Sequence, residues 1–272
     1  MKSVLLHAFD DAEMDARLSV ALDACRAHSA HLTFVHVTPF LAYVGFDPMG
    51  MGGAFASSVA IDALRENETR LRTRLEARMA KEDVQWDWQS FDGDPAQTLA
   101  SASSLADLVV LSQSGATRSS GEAPLPIVDD VVVNAGCAVL VVPTGVDRYD
   151  PKAAVVVGWN ASEQSARAVR DALPALRLAG AVHLVSVEEA GEAFPQTDAS
   201  TYLSRHGVAS ELHSFDESSR AADAILTQMA DDIGAGAILI GAYGHSRLRE
   251  TVLGGVTRRI LAQSRRPVLL GR

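Results

Sequence analysis

The sequence predicts an α/β protein made of two tandem, doubly wound halves, each with a five-stranded parallel sheet and helices on both faces. Three observations lead there. First, the chain repeats itself: KSVLLHAFD at 2–10 resembles KAAVVVGWN at 152–160, and HLTFVHV at 31–37 resembles VHLVSV at 182–187, both at an offset of 150. DLVVLSQSG at 107–115 then lines up with GAILIGAYG at 236–244, and CAVLVVP at 137–143 with RPVLLGR at 266–272, at an offset of 129. Second, these Val/Leu/Ile runs are short and lack polar alternation, as strands buried on both faces of a parallel sheet require. Third, helix-like stretches separate them, and strict strand–helix alternation winds a parallel sheet through right-handed crossovers.

The elements follow in order. In the first half, helices are expected at 11–28, 57–82, 94–104 and 126–135, with the third strand in WDWQSFDGD. Trp86 and Trp88, two apart on that strand, share a face and pack there. In the second half, helices are expected at 162–179 (Ser162 as N-cap), 198–206, 218–232 and 256–264, with the third strand in ASELHSFDES. PTGVDRYDPKAA at 143–154 has the Pro, Gly and charges of a linker, so the domains are 1–145 and 151–272. The fall in offset from 150 to 129 places a 21-residue surplus in the first half, assigned to a Gly/Met-rich inserted loop at 40–56.

A chain of 272 residues has room for two cores. Its net charge of −10 argues against nucleic acid and anionic membrane as partners, since both need a basic face. Cys25 and Cys137 stand outside any CxxC, so neither a disulfide framework nor a zinc spacing is expected. The apolar run in MKSVLLHAFDDAEMD is too short for a signal-peptide core, and no run approaches the ~20 residues of a membrane span. A cytoplasmic location is expected. The histidines form no HExxH or His/Cys pattern, so no metal is expected. No G-x-S-x-G elbow marks a nucleophile.

Ligands of open parallel sheets lie outside the carboxyl ends of the strands, where strand order reverses. In the second half GAYGHSRLRETVLGGVTRR, at 241–259, occupies that place. Glycines allow close approach of backbone amides, and a helix N-terminus adds unpaired N–H groups and partial positive charge, which together suit an anion. The spacing is neither G-x-G-x-x-G nor G-x-x-x-x-G-K-[ST]. Gly241, Gly244 and Gly254 instead fit G-x2-G-x9-G, followed by Gly255, Val256 and Thr257, and this resembles the ATP-binding signature of universal stress proteins. Two fused halves resemble the tandem type of that family over essentially the whole chain.

The resemblance implies a strand order 3-2-1-4-5 in each half, a nucleotide across the strand ends, and pairing of domains through their last strands, here between the two halves or in a homodimer. It places Gly241, Gly244, Gly254, Gly255, Val256 and Thr257 around ribose and phosphates, and backbone near Val187 against adenine. Asn160 stands where the family commonly has aspartate, and Gly255 where it has Ser or Thr. In the first half, Gly115 matches Gly244, but Ser112, Leu125 and Pro126 replace Gly241, Gly254 and Gly255 over an equal length, while Asp10 takes the place of Asn160. The first half is therefore expected not to bind ATP, and the connection itself not to demand those three glycines.

Three functions remain open. One is a stress-response regulatory protein holding ATP, with or without Mg, in its second half; hydrolysis is slow at most, because no Walker-type lysine or acidic magnesium motif is present. Another is a nucleotide-free pairing module, in which the glycines only make a turn and Asn160 and Ser162 only cap a helix. The third, an adenine-nucleotide hydrolase, lacks a glycine-rich loop after the first strand.

Overall fold

The computed structural model describes residues 1–39, 53–113, 127–188, 196–216, 220–242 and 255–271. The first half runs β1 (Ser3–His7), α1 (Met14–His28), β2 (His31–Pro39), α2 (Gly53–Met79), β3 (Trp86–Gly93), α3 (Pro95–Ala102), β4 (Leu108–Ser112), α4 (Ile127–Asn134) and β5 (Ala138–Val142). The second runs β6 (Val155–Gly158), α5 (Glu163–Asp171), α6 (Leu173–Leu176), β7 (Val182–Glu188), α7 (Gln196–Arg205), β8 (Glu211–Asp216), α8 (Ala222–Asp232), β9 (Ala237–Gly241), α9 (Gly255–Gln263) and β10 (Val268–Gly271).

Local chemistry explains the helix starts. Asp94 accepts from the Gln97 N–H at 2.8 Å with Pro95 opening α3, and Ser162 Oγ accepts from the Ser165 N–H at 3.2 Å ahead of α5. Two expectations need correction. The helix expected at 162–179 is two helices, parted at Ala172 with Pro174 in the first turn of α6, because proline has no N–H to continue the ladder. The insertion expected as a loop over 40–56 ends in helix from Gly53 onward; its residues 40–52 lie outside the described residues.

Each half has the strand order 3-2-1-4-5, but the two sheets are not separate. They form one ten-stranded mixed sheet, β3-β2-β1-β4-β5-β10-β9-β6-β7-β8. Pairing is parallel within each half and antiparallel across the seam, where Val141, Leu140 and Val139 of β5 face Val268, Leu269 and Leu270 of β10. The expectation of two tandem sheets is corrected accordingly, while the expected pairing of the halves through their last strands is what joins them. The physical reason lies in burial: β5 and β10 are apolar throughout, and an exposed apolar edge strand is an open template for pairing.

Alternate residues of the strands feed two core layers. Val4, Leu6, Val157 and Leu184 join the layer under α1, α2, α5 and α7, while Leu5, Val109, Ile238 and Leu270 join the layer under α3, α4, α8 and α9. Each layer runs through both halves. Phe34 meets Trp86 edge-on and Trp88 stacked, both at 5.7 Å between ring centres, which is the shared-face packing expected of the two tryptophans. Linker residue Tyr149 donates its N–H to Asp23 on α1 at 3.0 Å, so the linker is tied to the first half.

Since Leu269 at the seam is 3% exposed, Leu269→Ala should cost about 2–5 kcal/mol. Calorimetry should show both halves melting in one transition at a lower temperature. Separate transitions in the wild type would contradict a shared sheet.

Candidate functional site

In the second half, the helices that follow β6, β8 and β9 begin at the carboxyl end of the sheet, so the N-termini of α5, α8 and α9 gather beside the boundary of β6 and β9. Strand order reverses at that boundary. Of the residues expected here, Asn160, Val187, Gly241, Gly255, Val256 and Thr257 are placed, and Gly244 and Gly254 lie outside the described residues.

Asn160 follows β6, and its Oδ1 accepts from the Ser162 N–H at 3.3 Å and the Ser162 hydroxyl at 2.6 Å. Ala161 between them has φ 55°, a left-handed turn that costs an alanine about 1 kcal/mol. The carboxamide oxygen is thus committed to the cap of α5, while both Nδ2 hydrogens stay outside this network. Trp159, one residue earlier, is 8% exposed, and its indole N–H has no partner among the described residues. A buried donor left in that state costs about 1–3 kcal/mol.

Val187 sits near the end of β7, half-buried against the second core layer. Gly255 and Val256 open α9 and are exposed, whereas Thr257 is buried. Among the described residues, a Cβ at Gly255 would meet only the Arg259 guanidinium, at 3.2 Å. That guanidinium is held by Asp223 of α8, Nε to Oδ1 at 2.7 Å, which ties the starts of α8 and α9 together.

Gly241 has a packing role that sequence comparison misses. A Cβ there would lie 2.6 Å from both the Gln164 carbonyl carbon and the Ser165 nitrogen, inside the backbone of α5. Its sheet neighbour Gly271 is in the same position, 2.3 Å from Ala168 Cα. The first turns of α5 therefore rest on two adjacent glycines. The connection itself is expected not to demand Gly241; the constraint here comes instead from the packing of α5, and the first half has Ser112 and Val142 at those paired positions because it handles its first helix differently.

That difference is Arg17 of α1, which is 1% exposed. Its Nε donates to the His7 carbonyl at 3.0 Å and its Nη2 to the Phe9 carbonyl at 3.1 Å. Its Nη1 pairs with Asp11 at 3.2 Å and donates to Ser112 Oγ. One guanidinium thus bridges the ends of β1 and β4, the place that corresponds to the boundary of β6 and β9. Counted from the helix caps Glu13 and Ser162, its counterpart is Ala166.

The register also moves the partner of Asn160. Val4 faces Leu108 as Val155 faces Ala237, so Val4 matches Val155 and Ala8 matches Trp159. Beyond the strand the first half has two more residues, and Asp11 does what Asn160 does: its Oδ1 accepts from the Glu13 N–H two residues on, at 3.0 Å. Asp11, rather than the expected Asp10, is the counterpart. Asp10 pairs instead with Arg74 of α2 at 3.1 Å.

His7 lies beside this cation, and burial, then Arg17, then His36 push its pKa down to about 3.

The family model described as Universal stress protein family matches residues 153–272. The second half of the chain is thus similar in sequence to universal stress proteins. Over its full length it has the fold of a universal stress protein from Archaeoglobus fulgidus DSM 4304, 15% identical, with 99% of this chain and 96% of that one covered at a TM-score of 0.76. A functionally unknown protein from Pseudomonas aeruginosa PAO1 is also 15% identical, with 100% and 92% covered at 0.56. A universal stress protein in complex with cAMP, 23% identical, corresponds to 44% of this chain and 95% of its own at 0.35. No curated protein sequence matches the chain. Among the described residues, no helix is long and apolar enough to cross a membrane.

Two outcomes test this geometry. Gly241→Ala drives a methyl into the backbone of α5 and should destabilise by about 1–3 kcal/mol, whereas Gly255→Ala, with only a flexible arginine nearby, should not; urea titration compares them, and equal effects would contradict the packing role. For His7, the folded pKa near 3 lies below the unfolded value of about 6.5. Its contribution is therefore complete above pH 6.5 and is lost as pH falls toward 3. At pH 5 the loss is about 2 kcal/mol, and His7→Phe should show that much less destabilisation between pH 7 and 5.

Proposed function

We propose that the chain is a universal stress protein that binds one ATP, with or without Mg, in residues 151–272, and that residues 1–145 are a non-binding partner fused into the same sheet. The observation that carries this reading is the contrast at the two strand-order reversals. In the second half Gly255 and Val256, which open α9, are exposed residues, whereas the strand-order reversal of the first half is filled by Arg17 with four acceptors of its own.

The residues present fit the nucleotide. The N–H groups of a helix N-terminus suit phosphate, and Gly255 puts no side chain in front of them. The Nδ2 hydrogens of Asn160, outside the cap network among the described residues, can donate to base or ribose oxygen and nitrogen acceptors, which an aspartate could not. Backbone beside Val187 lies at the end of β7 for adenine, and Gly241, Gly244, Gly254 and Thr257 complete the set by resemblance. A hydroxyl lost at position 255 removes about 0.5–1.5 kcal/mol from the roughly 8 kcal/mol of micromolar binding, so the site is weakened and survives. The bound nucleotide acts as a ligand that sets conformation or partner choice in a stress response, with hydrolysis slow at most.

Engagement of the Asn160 oxygen by Ser162 favours a second reading, a nucleotide-free pairing module. Calorimetric titration separates the two. The full chain should bind one equivalent of ATP, and Gly255→Asp, which suits a helix start but repels phosphate, should weaken binding about tenfold or more with melting unchanged. Two equivalents would refute the closed first half; none would leave the pairing module.

A further inference from the structure

We propose that His183, Glu211 and His213 form a binding site for one divalent transition-metal ion of the zinc type, at the outer edge of the second half. His183 lies on β7 opposite Glu211 on β8, and His213 lies two residues farther along β8. Residues opposite each other, and residues two apart, project to the same face of a sheet. Three donor atoms converge as a result.

His183 Nδ1 and His213 Nε2 are 3.1 Å apart, and Glu211 Oε2 lies 3.5 Å from the first and 3.9 Å from the second. The carboxylate is too distant for a good hydrogen bond to either ring, yet the triangle is close to the right size for a shared ion. Zinc bonds of about 2.0–2.1 Å in a tetrahedron set ligand atoms roughly 3.3–3.4 Å apart. Two imidazoles and one carboxylate are a zinc donor set that leaves a fourth position for water. The His213 backbone is anchored, its carbonyl accepting from Gln196 Nε2 of α7 at 2.9 Å.

The first half provides an internal comparison. At the matching register Thr33 faces Asp87, with Gln89 two residues on. There the contacts are plain hydrogen bonds, Thr33 Oγ1 to Asp87 at 2.6 Å and Gln89 Nε2 to Asp87 at 3.3 Å. Asp87 takes one further contact, from the His31 ring at 2.9 Å, so this part of the first half is satisfied by hydrogen bonds with a single imidazole, where the second half brings two together. An ion here would clip edge strand β8 to β7.

Calorimetric titration of Zn²⁺ into the chelator-treated full chain tests the proposal, with circular dichroism checking each variant's fold. One equivalent should bind at micromolar affinity or better. His213→Gln, which installs the first half's residue, and Glu211→Gln, at an exposed position that folding tolerates, should each weaken binding about tenfold or more, as ligand loss does. His31→Gln, which removes the exposed His31–Asp87 contact at the opposite edge, should change nothing. Absence of stoichiometric binding, or binding that both ligand variants leave intact, would overturn the site.

Discussion

The antiparallel pairing of β5 with β10 is the contact on which the rest of the structure depends. Without it each half would expose a fully apolar edge strand, and each core layer would end at an open margin. With it, Leu140 and Leu269 meet in one layer and Val139, Val141, Val268 and Leu270 in the other. The two halves are then held as the two members of an isologous pair, except that they are free to differ in sequence. Fusion removes the symmetry constraint that identical subunits would impose.

The difference shows at the carboxyl ends of the central strands, where the first helix of each half approaches its sheet. The second half uses the paired glycines Gly241 and Gly271 to bring α5 down onto the strand ends. The first half has Ser112 and Val142 there, and the buried guanidinium of Arg17 spans the gap. A cation so well supplied with acceptors cannot leave cheaply: removing one partner of a buried pair costs about 3–5 kcal/mol. The same place in the fold is thereby held by a buried cation in one half and by two close-packed glycines in the other.

Much of this was legible in the sequence because it is carried by pattern. The repeat offsets, the unbroken Val/Leu/Ile runs and the strand–helix alternation placed the ten strands and the order of the helices, and the resemblance supplied the pairing of last strands. Four things were not legible, each for a physical reason. Strand runs show no register, so Asp10 was matched to Asn160 where hydrogen bonding selects Asp11. Glycine can serve a ligand or a close-packed backbone, and only the 2.6 Å approach of α5 reveals the second role for Gly241. Arg17 sits in a helix pattern where arginine ordinarily faces water, so its burial had no sequence signal. Likewise His183 and His213 come from different strands, and a spacing search along one segment cannot join them.

The central claim is that only the second half has an open nucleotide site. Hydrogen–deuterium exchange on the full chain, with and without saturating ATP, tests it most directly. The account predicts added protection in peptides covering 156–166 and 255–262, with the peptides covering 5–17 and 108–113 unchanged. Protection of the first-half peptides to the same extent would contradict it.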